Sequence, residues 1–302
     1  MNGEDSFWAD DMAVSSSVSP LRYVTSPLRY AGGKSRCLAD LDAHFATLGL
    51  EPGGFEYHEP MMGSLTVGLH VIAKYRPAFS HLGDASPDIV NFFTVLRCHH
   101  EALERTLRAM GTSLDEHGYY ALRARFNEKR DDPVTAAAAF YLLNRACFNG
   151  VYRVNRAGDF NVPFGRHKGG TSELTLKNWV TLKRAHEVLR DSRVSFACVD
   201  VEDHLRRSRP RTPGPCLLYL DPPYVNTDPG LYATAFPPAK HERLRDLAAA
   251  WRAAGAWVAI NNSPAARELY ADAWTVRGLV SCRSVGADAA TRGAGEHDIL
   301  AT

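Results

Sequence analysis

Apolar residues follow two alternating patterns along the chain, and this alternation predicts an α/β fold. Short apolar runs, typical of buried parallel strands, occur at 55–58, 79–82, 194–198, 216–220 and 257–260. Between the runs, apolar residues recur at helical spacing, as at 65–75, 87–110, 133–144 and 238–254. This order predicts an open, mostly parallel sheet whose ligand site lies beyond the carboxyl ends of the strands.

The helical pattern is interrupted near residue 151. Residues 151–155 and 160–163 alternate in polarity around a turn at 156–159, which predicts a β-hairpin. Five Lys or Arg and only one acid lie between Arg145 and Lys168, with aromatic residues interleaved. This mixture favours a nucleic-acid groove, in which phosphate contacts supply affinity and base contacts specify sequence. A solvated hairpin with a half-buried aromatic face explains the same pattern.

The composition is that of a globular protein and argues against several function classes. Of the 302 residues, 45% are apolar and 23% charged, with no run of eighteen apolar residues to predict a membrane span. Residues 1–24 are Ser-rich and weakly periodic, so we expect a disordered leader and no secretion signal. The six cysteines form no C-x-x-C pair, which predicts reduced cytoplasmic thiols and no metal site. Because the net charge is only +1, a nucleic-acid surface must be a local patch.

The strongest chemical signal is Asp221-Pro222-Pro223-Tyr224, directly after the apolar run at 216–220. The exocyclic amine of a nucleobase is a poor nucleophile because its lone pair is delocalised into the ring. Asp221 and the carbonyl of Pro222 can accept its two N–H groups and offset the positive charge that develops during attack. The prolines fix the backbone, and Tyr224 offers a face for an extruded base. A surface turn is the alternative interpretation.

Three weaker signals upstream indicate a cofactor site. Gly32 and Gly33, before Lys34, let the backbone approach a ligand closely. The stretch 59–63 joins a strand to a helix, as in nucleotide-binding folds. Asp84 ends the next strand, where an acid suits the hydroxyl pair of a ribose, although capping the following helix explains it equally well.

Together these motifs resemble the Dam-type (D12 class, alpha group) family of DNA adenine-N6 methyltransferases. The resemblance covers nearly all of the chain after about residue 26. It is carried by Tyr30 to Lys34, Glu59 to Gly63, Asp221 to Tyr224 and, most specifically, by a block from Leu143 to Arg166. It implies a Rossmann-like S-adenosylmethionine-dependent methyltransferase sheet with an inserted, mainly helical DNA-recognition domain that carries the β-hairpin. The expected parts are a catalytic domain at 25–86 and 174–302 and a target-recognition domain at 87–173.

The resemblance also assigns residues. The catalytic motif would be Asp221, Pro222, Pro223 and Tyr224. S-adenosylmethionine would be held by Tyr30, Ala31, Gly32, Gly33, Lys34, Glu59, Pro60, Met61, Gly63, Asp84, Asp200, Val201 and Asp221. Double-stranded DNA, in a GATC-like site, would be contacted by Arg29, Arg145, Phe148, Asn149, Val151, Arg153, Asn155, Pro163 and Arg166. We expect a monomer in the cytoplasm, in a bacterial nucleoid or a phage-infected cell, with no membrane or metal partner.

The chain departs from the family pattern beside the expected cofactor. Met61 replaces a phenylalanine, Leu65 replaces a glycine, Gly68 replaces a bulky apolar residue, and His58 is unusual. These changes leave two alternatives to a plain methyltransferase. One is an alkyltransferase that uses a modified sulfonium donor such as carboxy-S-adenosylmethionine, with His58 or a nearby Arg as the counter-charge. The other is a DNA-binding module whose transfer activity has decayed.

Overall fold

A computed structural model describes residues 24–30, 32–190, 193–208, 215–225, 236–279 and 298–302. The predicted leader lies outside the described residues except for Val24, which is buried. No helix within the described ranges is long and apolar enough to cross a membrane.

Nine strands and ten helices make up the regular structure of the described residues. The strands are β1 (Glu56–Glu59), β2 (Phe79–Asp84), β3 (Ser113–Asp115), β4 (Thr171–Glu173), β5 (Val194–Cys198), β6 (Cys216–Leu220), β7 (Trp257–Asn262), β8 (Val276–Leu279) and β9 (Asp298–Ala301). The helices are α1 (Leu38–Phe45), α2 (Thr66–Tyr75), α3 (Pro87–Cys98), α4 (His100–Met110), α5 (Glu116–Asn127), α6 (Pro133–Ala146), α7 (Leu176–Leu189), α8 (Val201–Arg207), α9 (Pro238–Ala253) and α10 (Arg267–Tyr270).

The central sheet of the described residues has seven strands in the order β5-β2-β1-β6-β7-β9-β8. The first five are parallel, and β9 runs antiparallel to both β7 and β8. Chain order reverses between β1 and β6, so a crevice opens there at the carboxyl ends of the strands. The expected Rossmann-like sheet is therefore confirmed.

Strand β6 shows why its sequence is uniformly apolar. Leu217 and Tyr219 pack into the core on one face, while Cys216, Leu218 and Leu220 pack into a second core on the other. Both faces of a parallel strand are covered by helices, so alternation in polarity is lost. Burying each leucine side chain contributes about 1.5–3 kcal/mol. The strand is thus a rigid support for the residues that follow it.

Two expectations for the chain were wrong in detail. The helical period at 87–110 predicts one helix, but His99 has φ −135° and ψ 35°, and this break separates α3 from α4. The cysteines were expected to be reduced thiols. Cys98, Cys147, Cys198 and Cys216 are free, but Cys37 is disulfide-bonded.

The expected β-hairpin at 151–163 is present in reduced form, with a single antiparallel bridge between Val154 and Phe160. Its arms are joined by backbone bonds from Asn155 N to the Asp159 carbonyl and from Asn161 N to the Arg153 carbonyl, and neither arm forms a strand. Helix side chains take the place of the missing ladder. Asn127 bonds both backbone groups of Phe160, while Tyr119 and Arg123 donate to the carbonyl of Val162. The segment is therefore anchored to α5.

Candidate functional site

A cavity of about 280 Å³ lies where β1, β2 and β6 end, beside the start of α8. We call it the switch-point cavity. Ala31 lies outside the described residues, and Tyr224 does not line the cavity. The remaining predicted catalytic and cofactor residues all do, namely Tyr30, Gly32, Gly33, Lys34, Glu59, Pro60, Met61, Gly63, Asp84, Asp200, Val201, Asp221, Pro222 and Pro223. One site thus collects residues from distant parts of the sequence.

Asp221 has one engaged and one unengaged carboxylate oxygen. Its Oδ2 lies 2.7 Å from Lys34 Nζ. Its Oδ1 is buried and has no hydrogen-bond partner among the described residues. Burial raises the pKa of Asp221 to about 6, although the Lys34 ammonium acts in the opposite direction. The site therefore holds a carboxylate with one acceptor oxygen that no group in the described part of the chain engages.

Tyr224 is fixed through its hydroxyl, which leaves the ring to contact other groups. The hydroxyl donates to Asp298 Oδ2 and accepts from Asn261 Nδ2 at 2.7 Å. Lys34 Nζ lies 4.9 Å from the ring centroid. Because Asn261 lies in β7 and Asp298 begins β9, the sheet itself sets the orientation of the tyrosine.

Glu59 is almost fully buried at the end of β1. Tyr57 Oη donates to Glu59 Oε2 at 2.9 Å, and the backbone N–H of Gly68 bonds the same carboxyl group. Burial raises the pKa of Glu59 to about 8, against the effect of the tyrosine bond, and the nearby Asp221 charge raises it further. Near neutral pH this carboxyl group is largely protonated and can donate a hydrogen bond into the cavity.

Asp84 and Asp200 organise the turns around the cavity. Asp84 accepts from Gly63 N and Ser86 N, both at 2.9 Å. Ser86, rather than Asp84, caps α3, so the helix-cap interpretation of Asp84 was wrong. Burial would raise the pKa of Asp200, but its bonds from Lys240 Nζ and Glu202 N lower the pKa overall.

The residues expected to contact DNA form a surface near Tyr30. Arg29 is held by Asn144, whose side chain bonds both the N–H and the carbonyl of Arg29 at 2.9 and 2.8 Å. Arg29 also donates to the carbonyl of Arg145. Gly150 has φ +64°, and a β-carbon there would lie 2.2 Å from Arg29 Cβ, so glycine is required. The basic segment is thereby fixed to the cavity wall.

Several predicted DNA residues are exposed on this surface. Phe148 is 48% exposed although it is a large apolar residue, and Asn149, Pro163 and Arg166 are exposed beside it. Phe148 N donates to the Pro163 carbonyl at 2.9 Å, so the two expected contacts are neighbours. An exposed aromatic side chain on a fixed backbone is suited to insertion between bases.

The remaining predicted DNA residues differ in what holds them. Val151 and Arg153 are half-buried, and Arg153 Nε donates to Asn161 Oδ1 at 2.8 Å, which orients the guanidinium group. Asn155 instead closes the turn, because its Oδ1 accepts from the N–H groups of Ala157 and Asp159. This role in the turn explains an asparagine at position 155 without any contact to DNA.

Comparison with known proteins decides the family. A model of the D12 class N6 adenine-specific DNA methyltransferases matches residues 30–281. This chain belongs to that family. The D12 sequence is 31% identical over 209 residues to the type II methyltransferase M.MjaIII of Methanocaldococcus jannaschii, covering 65% of this chain and 68% of the relative. It is 28% identical over 200 residues to the DNA adenine methylase of Serratia marcescens, covering 66% of each chain.

A phage protein matches the D12 chain over a longer stretch. Identity to the DNA N-6-adenine-methyltransferase of Escherichia phage P1 is 32% over 284 residues, or 91% of this chain. That alignment spans only 35% of the phage protein. The chain thus covers about a third of one relative and about two thirds of the others.

The departures from the D12 pattern lie in different places. Met61 lines the switch-point cavity, whereas Leu65 and Gly68 are buried outside its lining. His58 faces the other side of the sheet, where it contacts His204 and Trp251. It does not line the cavity, so the hypothesis that His58 is a counter-charge for a modified donor was wrong.

Sequence reasoning missed several residues that line the D12 cavity. Tyr152 joins its wall to the basic segment by bonds to Ser86 Oγ and Asp88 Oδ2. Lys240 lies 5.1 Å from the Phe236 ring centroid and pairs with Asp200. No local motif marks these residues; Lys240 could be found only from its place in the first turn of a helix that packs beside α8.

Proposed function

We propose that this D12-class protein transfers a methyl group from S-adenosylmethionine to N6 of an adenine in duplex DNA. The observation that carries the proposal is the unengaged Oδ1 of Asp221, held at the edge of a cavity that the predicted cofactor residues line. A cavity of about 280 Å³ is close to the lower end of small-molecule sites, roughly 300–1,000 Å³. The residues present therefore fit a nucleoside-type donor.

The donor site combines three kinds of group. Asp84 ends β2 at the position where an acid suits ribose hydroxyls. The protonated Glu59 offers a donor, and Tyr30 and Met61 offer apolar surface. When bound, S-adenosylmethionine supplies an electrophilic methyl group. Gly63 allows the Tyr30 ring to lie against the turn, since a β-carbon there would be 3.0 Å from Tyr30 Cε1.

The protein's part in the reaction is to orient and polarise the target amine. Asp221 Oδ1 accepts one N–H and the carbonyl of Pro222 the other, which returns the lone pair to nitrogen. Pro222 and Pro223 fix these acceptors, and the ring of Tyr224 stacks on the flipped base. Direct displacement needs no covalent intermediate, so positioning supplies most of the acceleration.

DNA recognition is assigned to 87–173 as a target-recognition domain, together with Arg29. Arg153, oriented by Asn161, is positioned for the two acceptors of a guanine edge, and such a pair provides about 1–3 kcal/mol of discrimination. Val151 and Pro163 supply apolar contact for a thymine methyl group, Phe148 and Asn149 fill the space of the flipped base, and Arg145 and Arg166 add positive charge. A GATC-like site follows from the family pattern. We propose a monomer that acts in the cytoplasm.

The alternatives are less well supported. A modified sulfonium donor lacks its proposed counter-charge, because neither His58 nor any Arg is among the described residues that line the cavity. A decayed DNA-binding module would not need the network that holds Tyr224 to Asn261 and Asp298.

Nucleoside mass spectrometry tests the proposal. The full chain is expressed in cells that lack adenine methylation, beside Asp221→Ala and the surface control Asp246→Ala, since Asp246 is exposed far along α9. We expect N6-methyladenine from the wild-type and the control, and at least about a hundredfold less from Asp221→Ala. Unmodified DNA from cells with folded wild-type protein would contradict the proposal, and a heavier adenine adduct would support the modified donor.

A further inference from the structure

Three side chains of metal-binding type meet on the face of the sheet that packs against α8, outside the lining of the switch-point cavity. Glu56 and His58 lie two residues apart on β1 and therefore share a face, and His81 pairs with His58 on β2. Glu56 Oε2 lies 3.6 Å from His58 Nε2 and 3.9 Å from His81 Nε2. One ligand atom from each residue fits within 4.8 Å of the others. We call these three residues the β1–β2 triad.

The ring of His58 presents an unsatisfied nitrogen to the centre of the triad. His58 is only 2% exposed, and its Nε2 is buried with no hydrogen-bond partner in the part of the chain that the structure describes. The opposite nitrogen, Nδ1, lies 3.1 Å from His204 Nε2 on α8. When Nδ1 carries the proton and donates to His204, the lone pair of His58 Nε2 faces the Glu56 carboxylate.

His81 is oriented in a similar way. Ser195 Oγ donates to the Ser80 carbonyl at 3.3 Å, so the same oxygen can accept from His81 Nδ1 at 3.4 Å. With a proton on Nδ1, the Nε2 of His81, which lies 3.9 Å from Glu56 Oε2, is the nitrogen that can bind a metal. Bonds of this kind, from the outer ring nitrogen to a neighbouring group, fix the ring of a metal-binding histidine.

Ligand type and geometry favour a cation at this place. The unpartnered Nε2 of His58, the imidazole of His81 and the carboxylate of Glu56 lie within 4.8 Å of one another. A cation between them would satisfy the buried His58 nitrogen and offset the negative charge of Glu56.

We propose that Glu56, His58 and His81 bind a zinc ion, with water completing the coordination. Imidazole and carboxylate are ligands that Zn²⁺ prefers, and three protein ligands with one open position form a recurring zinc geometry. Tetrahedral bonds of about 2.0–2.1 Å place ligand atoms about 3.3 Å apart, so the three ligand atoms must move closer together. The rings of His58 and His81 are stacked, with centroids 4.5 Å apart, so His81 must also turn to direct its Nε2 at a shared ion. His81 is 38% exposed and Glu56 is 22% exposed, which gives both room to move and gives water access.

The position of the site gives the ion a structural effect. It would tie β1 to β2, and through His204 it would also brace α8. These elements end or begin at Glu59, Asp84 and Asp200, which line the switch-point cavity. The sequence predicted no metal because its cysteines lack ligand spacing. The triad was missed because its third member comes from a neighbouring strand.

Calorimetric titration tests the site. The full chain, without a polyhistidine tag and after chelator treatment, is titrated with zinc chloride. We expect about one equivalent to bind, and at least about tenfold weaker binding in both His81→Ala and Glu56→Gln. The matched controls are His117→Ala and Glu51→Gln, because both residues are exposed and lie outside the triad. The controls should bind zinc as the wild-type does.

A thermal unfolding series provides a second readout that does not depend on transfer activity. Zinc should raise the Tm of the wild-type and of both controls, since a ligand that binds only the folded state stabilises it. The rise should be lost in His81→Ala, whose partly exposed side chain can be removed with little effect on folding. No zinc binding by the wild-type, or equal affinity in His81→Ala, would overturn the proposal.

Discussion

Leu65 occupies the space that a side chain at Gly68 would need. A β-carbon at Gly68 would lie 2.5 Å from Leu65 Cδ1 and 2.4 Å from Glu59 Oε2. Leu65 itself adopts φ 58°, a left-handed conformation that favours glycine. The D12 pattern has the reverse arrangement, with glycine at the first position and a bulky apolar residue at the second. The departures at positions 65 and 68 therefore compensate each other, because the side-chain volume lost at 68 is gained at 65.

This exchange predicts strong coupling between the two positions. Gly68→Leu alone should destabilise the fold by about 1–3 kcal/mol through overpacking, and Leu65→Gly alone should leave a cavity. The double variant should recover at least about 1 kcal/mol relative to the sum of the two effects. Denaturant unfolding of all four proteins measures the cycle. Effects that add to within about 0.5 kcal/mol would show that the positions are independent.

Glu59 should make stability depend on pH. Its folded pKa of about 8 lies above an unfolded value near 4.3, so its contribution to stability is complete below pH ~4 and is lost as pH rises through 8. Glu59→Gln cannot ionise. We therefore expect the free energy of unfolding of the variant, relative to wild-type, to increase between pH 5 and pH 8. The control is Glu51→Gln, an exposed residue, whose difference from wild-type should stay constant.

Asp221 and Lys34 should together set the acid limit of transfer. The carboxylate accepts the target amine only when it is ionised, so single-turnover rates should fall as pH drops through about 6. Because Lys34 lowers the pKa of Asp221, Lys34→Gln should move this limit to higher pH. A pH–rate profile for each protein decides the matter. An unchanged midpoint in the variant would show that the ion pair does not control the carboxylate.

Arg153 should control sequence discrimination rather than general affinity. Its guanidinium group is oriented by Asn161, whereas Arg156 is exposed in the turn three residues later. Arg153→Ala should lose about 1–3 kcal/mol of preference at one base pair, while Arg156→Ala should weaken all duplexes alike. Binding to matched and single-mismatch duplexes at fixed salt separates these outcomes. A uniform loss in Arg153→Ala would make it a phosphate contact.

The sequence predicted the elements whose signals are local. The apolar run of β6 and the helix signals at Asp132 and Pro133 act within a few residues, and both elements lie where they were predicted. The hairpin lacks full strands because α5, which the pattern did not predict, supplies part of its hydrogen bonding. The network of Tyr224 with Asn261 and Asp298, and the triad on β1 and β2, depend on strand order. That order comes from tertiary packing rather than from any short motif.

The two hydrogen bonds from Asn144 to the backbone of Arg29 connect the cavity to the surface expected to contact DNA. Arg29 directly precedes Tyr30 of the switch-point cavity, while Asn144 lies in the last turn of α6, which leads into the exposed Phe148 segment. A shift of Tyr30 should therefore also move the Phe148 segment. If a ligand in the cavity raises the affinity for DNA by some factor, then DNA must raise the affinity for that ligand by the same factor. The side chain of Asn144 would carry this coupling equally in both directions.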